Sequence, residues 1–297
     1  MLVSIIICTR NRAESLRATL VSLSHAAVPT GWTTELLVID NGSTDQTPAV
    51  INEAQLNNLV VRSIHEPCTG QVRARNTGLR LCAGEVILFT DDDVRVPTHW
   101  IEGMCKPILN GTADAVQGGV RVAPHLDRPW LTGALRCWVA AVESPDQKPE
   151  GLVGANMAFD RRMAELTGGF DPRLGAGASG FYDDTVFGWT LDRAGKRTLY
   201  RPEIAVEHHF DPDRLTLGSF IKTARRMAQS RALVMQLINP NRAQPTLFAL
   251  LTQLPGLAVR CLTQSLAYVR NRQPDAGFVV RYFCWRLWLA ERNRASR

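Results

Sequence analysis

The stretch Val86-Ile87-Leu88-Phe89-Thr90-Asp91-Asp92-Asp93-Val94 decides how this chain is read. A short apolar run bounded by polar residues is a buried strand of an α/β sheet. The three carboxylates that end it then stand where open α/β sheets bind ligands, outside the carboxyl ends of the strands. Alternation along an extended continuation puts Asp91 and Asp93 on one side and Asp92 on the other. Two hard oxygen donors on one side suit Mg²⁺ or Mn²⁺, which are held by one or two carboxylates while phosphates and waters complete the octahedron. A solvated acidic turn explains the same three residues taken alone, so the surrounding pattern has to decide.

Upstream of the acids, strands alternate with helices. The periodicity predicts strands over 3–8, 35–39, 60–65 and 86–90, and helices over 13–24, 47–56, 71–82 and 98–109. Such a rhythm implies βαβ units and a mostly parallel, Rossmann-like sheet flanked by helices. Beyond Val94 the pattern loosens, with strands expected over 115–122 and 153–160 and a short one from Tyr200 to His209. The apolar start, Met1 to Thr9, has no basic region before it and is cut off by Arg10, so it reads as the first buried strand and not as a signal peptide.

Seven cysteines without a Cys-x-x-Cys pair signal neither a disulfide framework nor a zinc site, which suits a reducing cytosol. The net charge of +6 conceals an asymmetry, because residues 214–297 carry fourteen Lys or Arg against only Asp275 and Glu291. The change near Asp213 divides a domain over 1–213, with halves at 1–95 and 96–213, from a basic helical segment over 214–297. That segment is expected to face something anionic: a phospholipid surface or a phosphate-linked substrate before nucleic acid. Aromatics Tyr282, Trp285 and Trp288 among its arginines fit an interfacial helix, or a helical hairpin packed on the catalytic domain. The apolar run 245–259 is too short to span a bilayer.

Polar clusters follow the predicted strands: Thr9-Arg10-Asn11-Arg12, Asp40-Asn41-Gly42-Ser43-Thr44-Asp45, Ala74-Arg75-Asn76-Thr77-Gly78, Gly168-Gly169-Phe170-Asp171, Asp183-Asp184-Thr185 and His208-His209. Neither Gly-x-Gly-x-x-Gly nor a Walker loop is present, which argues against dinucleotide and P-loop sites. A carboxylate at the start of a helix is favoured by the helix dipole, and it can also accept a proton from a bound hydroxyl. A histidine pair at a strand end offers an imidazole to a metal.

In this order and spacing the motifs resemble the family 2 glycosyltransferases of the GT-A fold, over about residues 1–210. The resemblance implies a metal-dependent inverting enzyme that moves a sugar from a nucleotide diphosphate, most often UDP, to an acceptor hydroxyl. It places Thr9, Arg10 and Arg12 beside the nucleotide, Asp40 on the base and Arg75 near the base or diphosphate. Asp91 and Asp92 would lie at the ribose or sugar, and Asp93 on Mn²⁺ or Mg²⁺ with His208 or His209. Asp184 would be the catalytic base, and Asp183 stands where the family has glutamate. The Gln-x-x-Arg-Trp signature of processive synthases is absent, which favours addition of a single sugar. The acceptor is expected to be a sugar or lipid-linked sugar of a cell-surface polysaccharide or glycolipid, met in the cytoplasm or at the inner membrane face. A sugar-phosphate nucleotidyltransferase and a catalytically silent nucleotide-sugar-binding protein are the alternatives.

Overall fold

In the computed structural model, which describes residues 1–297 apart from Gln147, 240–250, Gln253, Arg272 and 295–297, the apolar runs of the first half form the centre of an eight-stranded sheet. Strands β1 (Leu2–Thr9), β2 (Thr33–Asp40), β3 (Val60–His65) and β4 (Val86–Asp91) lie parallel in the order β3-β2-β1-β4. Ile5, Ile6 and Ile7 are fully buried, as expected of a strand covered on both faces. Helices α1 (Ala13–Ser24), α2 (Thr47–Glu53) and α3 (Gln71–Leu81) make the crossovers. The chain leaves β1 toward β2 and returns to β4 on the other side of β1, so the crevice opens between the carboxyl ends of β1 and β4, where Cys8 pairs with Asp91.

The second half is not a continuation of the parallel rhythm. After the two-residue β5 (Val94–Arg95) and α4 (Trp100–Leu109) come β6 (Ala115–Val122), α5 (Ala134–Trp138), β7 (Asn156–Asp160), α6 (Arg161–Thr167), α7 (Asp183–Arg193) and β8 (Thr198–His208). Strand β7 is inserted antiparallel between β4 and β6, and β5 is antiparallel to β8, so the sheet is mixed. The predicted strand over 153–160 begins only at Asn156, while the short strand predicted before the histidines is an eleven-residue strand between β6 and the two-residue β5. Its pairing with β6 is irregular between Gly118 and Gly119.

One face of the sheet is covered around Leu16, Leu20, Trp100 and Met104, the other around Phe89, Phe159, Phe170 and Phe187. The second cluster fixes α7. Phe187 lies 4.7 Å from Phe159 and 4.8 Å from Phe170, ring centre to ring centre. Asp183, Phe187 and Leu191 are buried at i, i+4 and i+8, a single stripe of the helix. Asp184 is turned about 100° from that stripe and is only half-buried.

The chain divides into two compact units. The first is 1–125 with 140–178 and 183–210, and contains the sheet; the second is 126–139 with 179–182 and 211–297. In the second unit, α8 (Leu217–Ile238), α9 (Leu254–Asn271) and α10 (Ala276–Arg294) follow a 3₁₀ turn over Pro212–Leu215. Phe278 and Val279 of α10 are buried, Tyr282 stacks on Phe278 and touches Trp285, and Phe283 meets Trp138 edge-on. The aromatics expected to face a membrane are therefore engaged in contacts within the unit; the side chain of Trp288 lies outside the described residues. Part of the apolar run over 245–259 lies outside them as well. No helix among the described residues is long and apolar enough to cross a membrane.

Candidate active site

The crevice is built from three strand ends. The chain turns directly after Asp91, so the alternation expected of an extended continuation stops there, and Asp92 and Asp93 lie in the turn before β5. The turn is held by an internal network. Thr9 Oγ1 donates to Asp92 Oδ2 at 2.6 Å, and both residues are buried. Arg12 reaches over the crevice with Nε 3.1 Å from Asp92 Oδ1 and Nη2 2.6 Å from Asp93 Oδ2. Burial pushes Asp92 up to about 7 despite the pull of Arg12, with Asp93 adding to the rise.

Asp93 also faces His208, whose Nε2 lies 3.3 Å from its Oδ1. That contact follows from register: Val94 pairs with His208 across β5 and β8, and the His209 amide donates to the Asp93 carbonyl at 2.7 Å. His209 instead turns its Nε2 toward Glu207 at 3.4 Å, with its ring 5.3 Å from that of His125. Of the two histidines, His208 is the one the structure brings to the acids.

Asp40 closes β2. Its Oδ1 accepts the Ser43 amide at 3.0 Å, and Oδ2 lies 3.5 Å from His65 Nδ1. Asn41 ties the next loop down by donating to the carbonyls of Glu66 and Cys68 and accepting the Gly70 amide at 2.7 Å. Gly70, at φ 136°, adopts a conformation that side chains rarely tolerate, and it starts α3.

Arg75, expected near the donor's base or diphosphate, is buried inside the unit. Its Nη1 lies 2.5 Å from Asp183 Oδ2, its Nη2 3.7 Å from Asp91 Oδ1, and the guanidinium sits over Phe170 at 5.6 Å. One guanidinium thus links the acids of β4 to the first turn of α7. Gly154 lies against it, and a Cβ there would collide with Arg75. Asp183 is the buried member of its pair. Asp184 is the accessible one: its Oδ2 accepts the Gly154 amide at 2.7 Å and its Oδ1 the Thr185 amide at 2.7 Å. Gly188 lets α7 approach this loop, since a Cβ would stand 2.6 Å from the Leu152 nitrogen. Burial of its carboxyl, helped by the charge of Asp183, raises Asp184 to about 6.

Sequence reasoning did not find the Gly154 amide, which aims Asp184 and whose only signal is a glycine in a loop. Thr9 and Asp92, both expected beside the donor, are bonded to each other. Arg10 is exposed and takes no part in this network. Asp183→Asn leaves Arg75 buried without its nearest counter-charge. We expect it to destabilise the fold by about 3 kcal/mol, measured by urea unfolding; a loss below about 1 kcal/mol would show that Arg75 does not depend on it.

The donors that could take part in holding a divalent ion are an imidazole and a carboxylate. Asp93 and His208 face each other at the crevice edge, and no group of three or more His, Cys, Asp or Glu suited to a metal occurs among the described residues. Two protein donors suit an ion whose remaining positions go to phosphate and water.

Residues 4–165 match the family model described as glycosyl transferase family 2. The chain is 27% identical over 217 residues to a pre-mycofactocin glycosyltransferase of Mycobacterium tuberculosis, covering 69% of this chain and 42% of that protein. It is 32% identical over 120 residues to glycosyltransferase AglE of Haloferax volcanii, covering 40% and 39%. The chain therefore spans about two fifths of the length of these relatives. Succinoglycan biosynthesis protein ExoM of Rhizobium meliloti is 26% identical over 77% of this chain and 74% of its own. Among solved structures, mannosyltransferase PcManGT of Pyrobaculum calidifontis, in complex with GDP-Man and Mn²⁺, superposes with a TM-score of 0.66 at 19% identity, covering 98% of this chain and 86% of that one. S. aureus TarS 1–349 with UDP-GlcNAc gives 0.54 at 16% identity, covering 100% and 93%. These likenesses establish the GT-A fold.

Proposed function

The chain belongs to the family 2 glycosyltransferases, and on that premise we propose that it transfers a single sugar, with inversion and divalent-metal dependence, from a nucleotide-diphosphate sugar to an acceptor hydroxyl. The observation that carries this reading is the division of labour between two carboxylates in one crevice. Asp93 is presented with His208, and Asp184, half-buried and raised to about 6, stands apart at the start of α7.

Asp93 and His208 would hold Mn²⁺ or Mg²⁺, which as a Lewis acid offsets the charge that builds on the departing diphosphate. Arg12 lies beside the same carboxylate and can add its positive charge to that phosphate end. Asp40 and the loop fixed by Asn41 border the β2 side of the crevice, where the base would lie. Asp91, anchored by Arg75, faces the ribose or sugar. Asp184 orients the acceptor hydroxyl and takes its proton. Its two backbone hydrogen bonds fix the carboxylate while lone pairs remain for the hydroxyl. The nucleotide is taken as UDP on the family resemblance; the structural neighbours hold GDP-Man in one case and UDP-GlcNAc in another. A sugar or lipid-linked sugar of a cell-surface polysaccharide or glycolipid fits the acceptor, a direction also supported by ExoM, which is named for succinoglycan biosynthesis.

Incubating the protein with UDP- and GDP-sugars and Mn²⁺, and following the nucleotide product and the anomeric proton by NMR, tests the reading. Nucleoside diphosphate and an inverted glycoside are expected. Pyrophosphate would reassign the chain to nucleotidyl transfer, and a retained anomer would remove Asp184 from the base role.

The pH dependence follows from the same carboxyl. A base works only when deprotonated, so a value raised to about 6 predicts that kcat is lost as pH falls through about 6 and levels off above about 7. An ordinary aspartate near 3.9 would leave the rate flat over that range. A flat kcat profile between pH 5 and 8, with chemistry rate-limiting, would contradict the assignment.

A further inference from the structure

The second unit carries an apolar face that its described residues leave open. Helix α9 packs through Gly256, Leu257, Thr263 and Gln264. Gln264 is its anchor: only 4% exposed, it accepts the Asp275 amide at 2.7 Å and donates to the Gln273 carbonyl at 3.2 Å. At 100° per residue, Pro255, Val259, Leu262 and Leu266 fall on the opposite side of the helix. Val259, Leu262 and Leu266 are 60%, 68% and 71% exposed. Single exposed leucines need no explanation, but an aligned row of them does.

The segment that carries this row is strongly one-sided in charge, with fourteen Lys or Arg in residues 214–297. Of the two acids there, Asp275 is spent on the first turn of α10, accepting the Phe278 amide at 2.6 Å. An open apolar stripe on a cationic unit is complementary to one kind of surface, a bilayer with anionic headgroups. A second copy of the chain would bring two such positive units together, which their charges oppose. Eighteen residues make a helix about 27 Å long, and its packed polar side rules out insertion across the bilayer.

We propose that α9 lies in the interfacial plane of an anionic membrane, with Val259, Leu262 and Leu266 immersed at the acyl boundary and the arginines of the basic segment attracted to the headgroups. The stripe supplies the part of the affinity that salt does not screen, and the arginines the part that it does. None of these residues has a part in the proposed transfer reaction, so failure of this inference would leave that reaction standing.

Cosedimentation of the full chain with phosphatidylcholine vesicles, with and without phosphatidylglycerol, tests the proposal. Binding should be much tighter to the anionic vesicles and weaken as salt rises. The charge-neutral double substitution Leu262→Gln/Leu266→Gln should lower partition to anionic vesicles at least about tenfold. Both positions are exposed, so thermal unfolding and transfer to a water-soluble acceptor should stay unchanged. No binding to either vesicle, or double-variant binding equal to wild type, would overturn it. A dimer in lipid-free ultracentrifugation that the double substitution abolishes would give the face to a second copy, and would overturn it too.

Discussion

Asp184→Asn should lower kcat by about 10²- to 10⁴-fold while leaving the affinity for the nucleotide sugar within about twofold of wild type. The reason is positional. In the proposed mechanism Asp184 acts on the acceptor's proton, whereas the donor's phosphates would lie with Asp93, His208 and Arg12, which the structure groups on the other strand ends. The asparagine has one carbonyl oxygen for two backbone N–H donors, those of Gly154 and Thr185, so a loss of about 1–3 kcal/mol in stability accompanies the change. Unfolding measured beside the kinetics separates the two effects. Single-turnover kinetics with donor affinity by calorimetry is the decisive pair of measurements. Lost donor affinity with an unchanged chemical step would move Asp184 from the acceptor side to the donor side.

Asp93→Asn should also cost on the order of 10³-fold or greater in transfer, because several kcal/mol of transition-state stabilisation would depend on the ion this carboxylate would hold. The substitution also leaves Arg12 and His208 facing a neutral group. Raising Mn²⁺ should restore little of the rate. Near-wild-type rates at ordinary metal concentrations would place the metal elsewhere or dispense with it. Both results are best read against Asp183→Asn, whose effect is expected on the fold first, since its carboxylate is occupied with Arg75 in the interior.

The parts of this architecture that could be read from sequence are those where one local pattern decides the outcome. Val86–Thr90 and Ile5–Ile7 are apolar on both faces because both faces are covered, and no other local structure suits them so well. The acids at the end of β4 were visible for the same reason, since a buried run cannot end in three carboxylates except at an edge. What sequence did not show depends on distant pairings. The antiparallel insertion of β7 is set by partners on β4 and β6, and nothing within Asn156–Asp160 announces a direction. The burial of Asp183 is decided by Arg75, 108 residues earlier in the chain. Equal neighbours in sequence, Asp183 and Asp184 part company because one falls on the Phe187–Leu191 stripe and the other does not. The same holds for His208 and His209, which β8 turns to opposite sides. In the basic segment the composition draws attention to the aromatics of α10, of which Tyr282 and Trp285 are half-buried in contacts with their neighbours, while the leucines of α9 stand further out.

The central claim is that one crevice binds a nucleotide sugar through a divalent ion on Asp93. Thermal unfolding of the wild-type protein and of Asp93→Asn, each with a panel of nucleotide sugars, with and without Mn²⁺, tests it most directly. A ligand at 100 times its dissociation constant adds about 2.7 kcal/mol to stability. The account predicts a shift of that size for the wild type with at least one nucleotide sugar and Mn²⁺ together, much less with either alone, and its loss in Asp93→Asn. A shift that is indifferent to Mn²⁺, or that survives in Asp93→Asn, would contradict it.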